Sequence, residues 1–377
     1  MGFVECFTCG SQVSAKAIFC PCCGVSSRQV ATPESAASHL DYLDGWRGVA
    51  ILTLLVGHFL PVPGINLGTL GVDFFFVLSG WLMTRLLFVK HTPIDIFYRR
   101  RIARILPAHL VFIVFICLTY VVLGRVVSVS ETFSALVFVN NYGGGIERYT
   151  VMPFGHIWSL SVEEHSYVLL SLLAVLSRRT ATSGKFALGM AALACVAFAI
   201  EYSLLFAGPK LRFDQFLHTE VAGFGIFASG FVLLLLRERR EIKFPKIAVP
   251  LLVLFGVVLQ WWSVPLLIQS IIGVGALAIA VNLLPYTPGL LRSALAWKPL
   301  CLMGQWSFSL YLWQQPFYEW ARNANGPTWL ALLCAFAAGL TSYYFVEKPV
   351  REFLNRTWGV AIPPQKSFRE IPPPNKV

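Results

Sequence analysis

Two ionisable residues stand at the ends of one otherwise apolar stretch: Arg47 and His58, joined by GVAILTLLVG. In a helix, eleven residues at about 100° each bring the two side chains to within roughly 20° of one another and about 16 Å apart along the axis. One face then carries a cation near one end and an imidazole further along, a residue type suited to general-base work. An arginine in a spanning helix costs on the order of 2.5–3.5 kcal/mol, so such groups usually turn toward the protein interior. A snorkelling arginine with an interfacial histidine is the plainer alternative. Asp44, three residues before Arg47, is a natural partner for it.

Four further segments carry candidate chemistry. In FYRRRIARILPAHL, Arg101 and Arg104 are three apart and share a helix face, while Pro107 restricts the helix further along. Paired guanidinium groups offer planar, bidentate bonding to phosphate, although a topology determinant or a lipid-headgroup contact has the same composition. In GHIWSLSVEEHSYVLL, the residues His156, Ser159, Ser161, Glu163, Glu164 and His165 gather at the expected external mouth of a spanning helix. Helical spacing sets Ser161, Glu164 and His165 on one side, and Glu164 is a carboxylate able to orient the His58 imidazole. In GVDFFFVLSGWLMTRLL, Asp73 sits at an outer edge beside Gly71. WSFSLYLWQQPFYEW disperses Ser307, Ser309, Tyr311, Gln314 and Gln315 among aromatics, a pattern that aromatic belts also produce.

The cysteines form two populations. Cys117, Cys195, Cys301 and Cys334 lie singly in apolar runs, whereas Cys6-x2-Cys9 and Cys20-x2-Cys23 crowd the start. Two such knuckles suit one tetrahedral Zn2+ in a small structural ribbon over residues 1–24, with Cys22 as a register alternative to Cys23. A disulfide knot or redox pair would use the same residue types. Zinc thiolates favour a reducing compartment, which places this end in the cytoplasm.

The elements that must position these groups are spanning helices. Of 377 residues, 56% are hydrophobic and only 13% charged, far from the quarter charged of soluble chains. Residues 25–40 read as a linker, 41–353 as the transmembrane domain and 354–377 as a cytoplasmic tail. The expected fold class is an all-α polytopic membrane protein with about ten spans, at 46–62, 69–89, 105–124, 158–177, 185–207, 218–236, 247–263, 265–284, 301–320 and 328–346. Arg and Lys concentrate in alternate loops, which supports a bacterial inner-membrane protein with both termini cytoplasmic. The net charge of +11 resides in those clusters, which argues against a nucleic-acid partner. Residues 130–142 then lie outside, as a short interfacial or re-entrant helix.

Taken in order, these segments resemble acyltransferase family three, the integral-membrane O-acyltransferases that modify exopolysaccharides, lipopolysaccharide, nodulation factors and some antibiotics. The resemblance runs from about Leu40 to Phe353 and rests on LDYLDGWRGVAILTLLVGH with its R-x10-H spacing, GVDFFFVLSGWLMTRLL, FYRRRIARILPAHL with its R-x-x-R, HIWSLSVEEHSYVL, FSLYLWQQP and YYFVEKPVREF. It implies acyl transfer, acetyl above all, from cytoplasmic acyl-coenzyme A to a hydroxyl of a glycan, a lipid-linked sugar or a related acceptor. Arg101 and Arg104 would hold the coenzyme's phosphates and Arg47 would help the donor into the bundle. His58 would deprotonate the acceptor or transiently take the acyl group, and Glu164, with Ser159 and Ser161, would orient donor or histidine. Asp73 and His156 join the expected substrate contacts.

Two departures stand out. His165-Ser166 follows the paired glutamates where the family usually has Gln-Phe, and Gln314-Gln315-Pro316 follows YLW where it usually has His-Trp-Pro. The sequence up to Val377 carries no additional hydrolase-like domain, so the acceptor is expected to be handled by the membrane domain or a partner. Other function classes remain open on the residues alone: a transporter or flippase for a lipid-linked glycan, and an inactive membrane scaffold whose zinc ribbon binds a soluble protein.

Overall fold

Long apolar runs interrupted by proline, glycine and basic residues become helices here, because a chain in hydrocarbon must satisfy its backbone within each segment. The computed structural model describes residues 3–5, 12–14, 33–142, 151–179, 183–206, 208–238, 244–245, 247–287 and 289–358. Near the start, β1 (Phe3–Glu5) pairs antiparallel with β2 (Gln12–Ser14), Val4 opposite Val13. Cys6, Cys9, Cys20 and Cys23 lie outside the described residues.

The helices that build the bundle are α1 (Pro33–Phe59), α2 (Leu67–Thr84), α3 (Ile94–Val122), α4 (Trp158–Arg179) and α5 (Gly184–Leu205). They continue with α6 (Phe224–Glu238), α7 (Ala248–Leu259), α8 (Val274–Leu283), α9 (Lys298–Asn323) and α10 (Thr328–Ser342). A row of neighbours runs α10, α9, α1, α2, α6, α5, with α8 packed on α2 and α6 and α7 packed on α8. Helix α4 leans on α2 and α5.

Several boundaries differ from expectation. Helix α1 begins at Pro33, so the second half of the expected 25–40 linker is helical. Proline is tolerated at a first helical position, where its missing N–H had no partner to lose. Pro107 does not end α3 but lies inside it, as Pro316 lies inside α9. Residues Val129–Leu136 form a helix of eight residues, about 12 Å long and too short to cross a bilayer.

Among the described residues, seven helical segments are long and apolar enough to span, not ten. The three expected spans that fall outside that set do so for two reasons. Helix α7 has only 12 residues, about 18 Å. Helices α1 and α9 are 27 and 26 residues long, but carry the polar side chains singled out above, which lower their apolarity. Much of that polarity is turned inward: Ser307, Ser309, Gln314 and Gln315 of α9 are all buried.

Helices α1 and α9 meet backbone to backbone. A Cβ added at Gly304 would lie 1.9 Å from the Asp44 carbonyl oxygen, and one at Gly48 would lie 2.1 Å from that of Leu300. No side chain fits at either place. Gly304→Ala is therefore expected to push the helices apart and cost on the order of 1–3 kcal/mol or more, read as a lowered melting temperature of the detergent-solubilised protein; an unchanged melting temperature would show that the contact is dispensable.

Candidate active site

The close approach of α1 and α9 sets two polar stations along one interface. Asp44 lies against Gly304 and His58 against Gln314, so the two helices run parallel. At the first station, Arg47, Arg101 and Arg104 converge on a cleft, which Ser79, Ser159, Glu163, Ser307 and Tyr311 also line. The three arginines of the sequence patterns thus share one site, although they come from α1 and α3.

Their charges are not equivalent. Arg101 donates through Nε to Glu164 at 2.8 Å and its guanidinium reaches Glu163 at 3.2 Å, while its Cζ lies 3.6 Å over the Tyr167 ring. Ser79 of α2 donates to the other oxygen of Glu163 at 2.8 Å. Arg47 is held by Asp44 at 3.0 Å. Arg104 makes no ion pair or hydrogen bond through its side chain among the described residues, yet it lines the cleft. In a medium of low dielectric such a cation is costly without an anion. Arg101 therefore organises the wall, while Arg104 touches no carboxylate directly and meets the buried Glu347 only through space, so its N–H groups remain available to a ligand.

The second station is His58. Its Nδ1 lies 2.7 Å from Gln314 Oε1, and its ring stacks on Tyr318 with centroids 4.4 Å apart and planes at 17°. A Cβ on Gly68 would come within 3.1 Å of His58 Nε2, so the glycine leaves that nitrogen uncovered on the α2 side. Ser307, Tyr311 and Gln314 follow one another at helical spacing on α9, the first two at the cleft and the third at the imidazole. They form one polar stripe between the stations. Beside it, Ser159 Oγ and Tyr311 Oη are 2.5 Å apart, and Tyr311 donates to the His156 carbonyl.

The expected partnership of Glu164 with His58 is not formed. Glu164 faces Arg101, because α4 presents its paired glutamates to α3 and α2, and an amide takes the place on the imidazole. The expected single face of Ser161, Glu164 and His165 is likewise divided among neighbours. Ser161 is fully buried and donates to the carbonyl of Ile157, in the turn just before its helix, and His165 lies 2.8 Å from Thr219 Oγ1. Asp73 is buried away from the cleft, where Gln260 donates to it at 3.1 Å. His156 is buried edge-on to Phe112 and beside Tyr311. Sequence reasoning noted Glu163, Tyr311 and Gln314 without giving them a place in the site, and passed over Ser79 and Tyr167. The spacing of Ser307, Tyr311 and Gln314 was a usable signal; Ser79 and Tyr167 carried none.

The fold and its buried polar stations define a multi-pass helical membrane protein with a cleft inside the bundle. The chain belongs to the acyltransferase family, whose acyltransferase domain matches residues 40–347. It is similar to the O-acetyltransferase OatA of Staphylococcus aureus strain NCTC 8325 / PS 47, 27% identical over 355 residues that cover 83% of this chain and 57% of the relative. The same protein in strains COL and MRSA252 gives the same values, 27% over 355 residues. The chain thus spans a little over half the length of these relatives. No solved structure matches.

The charge accounting is testable by stability alone. Arg101→Ala leaves two carboxylates without their cation and is expected to destabilise by about 3 kcal/mol, whereas combining it with Glu163→Gln and Glu164→Gln restores most of the loss. Thermal unfolding in detergent reads both. Arg104→Ala, which breaks no pair, is expected to leave the melting temperature unchanged.

Proposed function

We propose that the protein is a membrane O-acyltransferase that moves an acyl group, acetyl in the first instance, from acyl-coenzyme A to a hydroxyl of a glycan or lipid-linked sugar. The observation that carries this reading is the unpaired Arg104 in a cleft it shares with Arg47 and Arg101, joined by a polar stripe to His58. Guanidinium groups suit the coenzyme's phosphates. The relative's name, O-acetyltransferase, supports the choice of acetyl and of oxygen as acceptor. Acyl-coenzyme A is a substrate in this scheme, and the protein contributes position and proton transfer.

The donor's phosphates bind Arg104 and Arg47, and its extended pantetheine arm follows Ser307 and Tyr311 toward His58. The gap is about 16 Å of helix axis, which an extended arm of that kind bridges. His58 Nε2 takes the proton of the acceptor hydroxyl as its oxygen attacks the thioester carbonyl. The C–O bond forms and the C–S bond breaks. The imidazolium then returns the proton to the departing thiolate, so the histidine ends as it began. Holding both reactants at one interface supplies much of the advantage over solution.

In this reading the arginine end of the bundle faces the cytoplasm and the histidine end faces outward, in a bacterial inner membrane with both termini inside. The loop charges support that orientation. Helices α1 and α9 cross with the seven apolar spans, which their length permits, and the short α7 passes through the bundle as the tenth, the even number that puts both termini on one side. The two cysteine pairs hold one structural zinc, a role supported by the Cys6-x2-Cys9 and Cys20-x2-Cys23 spacing. That ribbon is the surface offered to a soluble partner.

His58→Ala is expected to lower acyl transfer from radiolabelled acetyl-coenzyme A, in membranes containing the native acceptor, by about 10²–10⁴-fold while the protein stays in the membrane. Arg104→Ala is expected to raise the KM for acetyl-coenzyme A about tenfold with smaller change in kcat, a loss typical of one charge-assisted contact. Full transfer by the His58 variant would remove the reading. For the ribbon, metal analysis of the purified protein should find zinc that is lost from a Cys6→Ser variant.

A further inference from the structure

The hydrogen bond on His58 is the first of a chain that the reading above does not use. His58 Nδ1 meets Gln314 Oε1 at 2.7 Å, Gln314 Nε2 donates to Gln315 Oε1 at 3.3 Å, and Gln315 Nε2 donates to Glu319 Oε1 at 2.9 Å. Both amides are buried, so water is not an easy substitute for either partner. The far end is a carboxylate, which accepts and does not donate when ionised. That fact orients everything before it.

With Glu319 as acceptor, Gln315 must present its amino group to it and its oxygen to Gln314. Gln314 must then present its amino group to Gln315 and its oxygen to His58. Flipping either amide alone sets two oxygens face to face on one side of it. An oxygen at Nδ1 requires a proton on Nδ1, which leaves Nε2 with the lone pair. Nε2 is the nitrogen that Gly68 leaves uncovered, and the Tyr318 stack holds the ring plane.

We propose that Glu319 is a positioning residue which, through Gln315 and Gln314, holds His58 in the Nδ1–H tautomer and so reserves Nε2 for the acceptor's proton. This rests on His58 being the base of the transfer reaction. It also assigns a task to the glutamine that stands where the family usually has histidine. A glutamine cannot titrate, but it can pass on the direction of its hydrogen bonds, and Glu319 supplies that direction. No proton travels along the chain: amide groups fix the tautomer and the proton of the reaction stays on Nε2.

The test uses the full-length protein labelled with [15N]histidine in lipid nanodiscs. The signal of His58 among the seven histidines is assigned by its loss in His58→Gln. The wild type is expected to show protonated Nδ1 and unprotonated Nε2. Glu319→Leu, which ends the chain in an apolar group, is expected to give a mixture of tautomers and to lower kcat about tenfold or more with the KM for acetyl-coenzyme A unchanged. Glu319→Gln keeps the shape of the side chain but can donate as well as accept, so it too is expected to mix the tautomers and lower kcat, which a loss of packing would not predict. A wild-type His58 protonated on Nε2 overturns the proposal. So does a Glu319→Leu protein with unaltered tautomer and kcat, and if His58→Gln is inactive in the same assay the base reading survives that failure. Undiminished transfer by His58→Gln removes the base reading itself, and the proposal with it.

Discussion

Everything at the candidate site depends on how closely α1 and α9 approach. Two helices with ordinary side chains between them sit about 8–10 Å apart, but Gly48 and Gly304 leave no side chain at the crossing and the backbones touch. Small residues at a helix interface are the usual means of association where lipid removes the hydrophobic drive between helices. Here the contact also settles register. It brings Asp44 to Gly304 and, in parallel, His58 to Gln314, so that one polar stripe on α9 spans the distance between the arginine of α1 and its histidine.

The second organising constraint is the cost of charge in a medium of low dielectric. The bundle meets it by giving Arg101 two carboxylates and an aromatic face, and by giving Arg47 its own Asp44. Arg104 is left outside this accounting while lining the same cleft. The buried Glu347 acts on it only through space, so a guanidinium without a direct partner stands beside two that have one. The paired glutamates, by contrast, belong to the wall of the cleft. Their interaction with α3 and with Ser79 of α2 ties three helices together around the arginines.

Helix α9 shows why apolarity alone is an incomplete guide to such a bundle. Its Ser307, Ser309, Tyr311, Gln314 and Gln315 keep it below the apolarity of an ordinary span, yet all five are buried inside the bundle. Lipid never meets them. The same holds for α1, whose Arg47 and His58 turn to Asp44 and Gln314. The helices richest in candidate chemistry are thus the ones a hydropathy reading ranks lowest, because function is what lowers them.

How much of this was legible in the chain follows from the range of each interaction. Contacts within one helix obey a fixed period, so the shared face of Arg47 and His58, the Asp44 partner and the pairing of Arg101 with Arg104 on one side could be read from spacing alone. The helical class and most helix positions also followed, since apolar runs of sufficient length have few alternatives in a membrane. Contacts between helices have no such period. That Glu164 turns to Arg101 and not to His58, that Gln314 takes the imidazole, and that Ser79 and Tyr167 complete the arginine wall depended on rotations and registers set by glycine contacts many residues away. The sequence by itself determined which groups the membrane would force inward; only the tertiary structure decided which of them would meet, because the partner of a buried charge is chosen by packing across the bundle and not by distance along the chain.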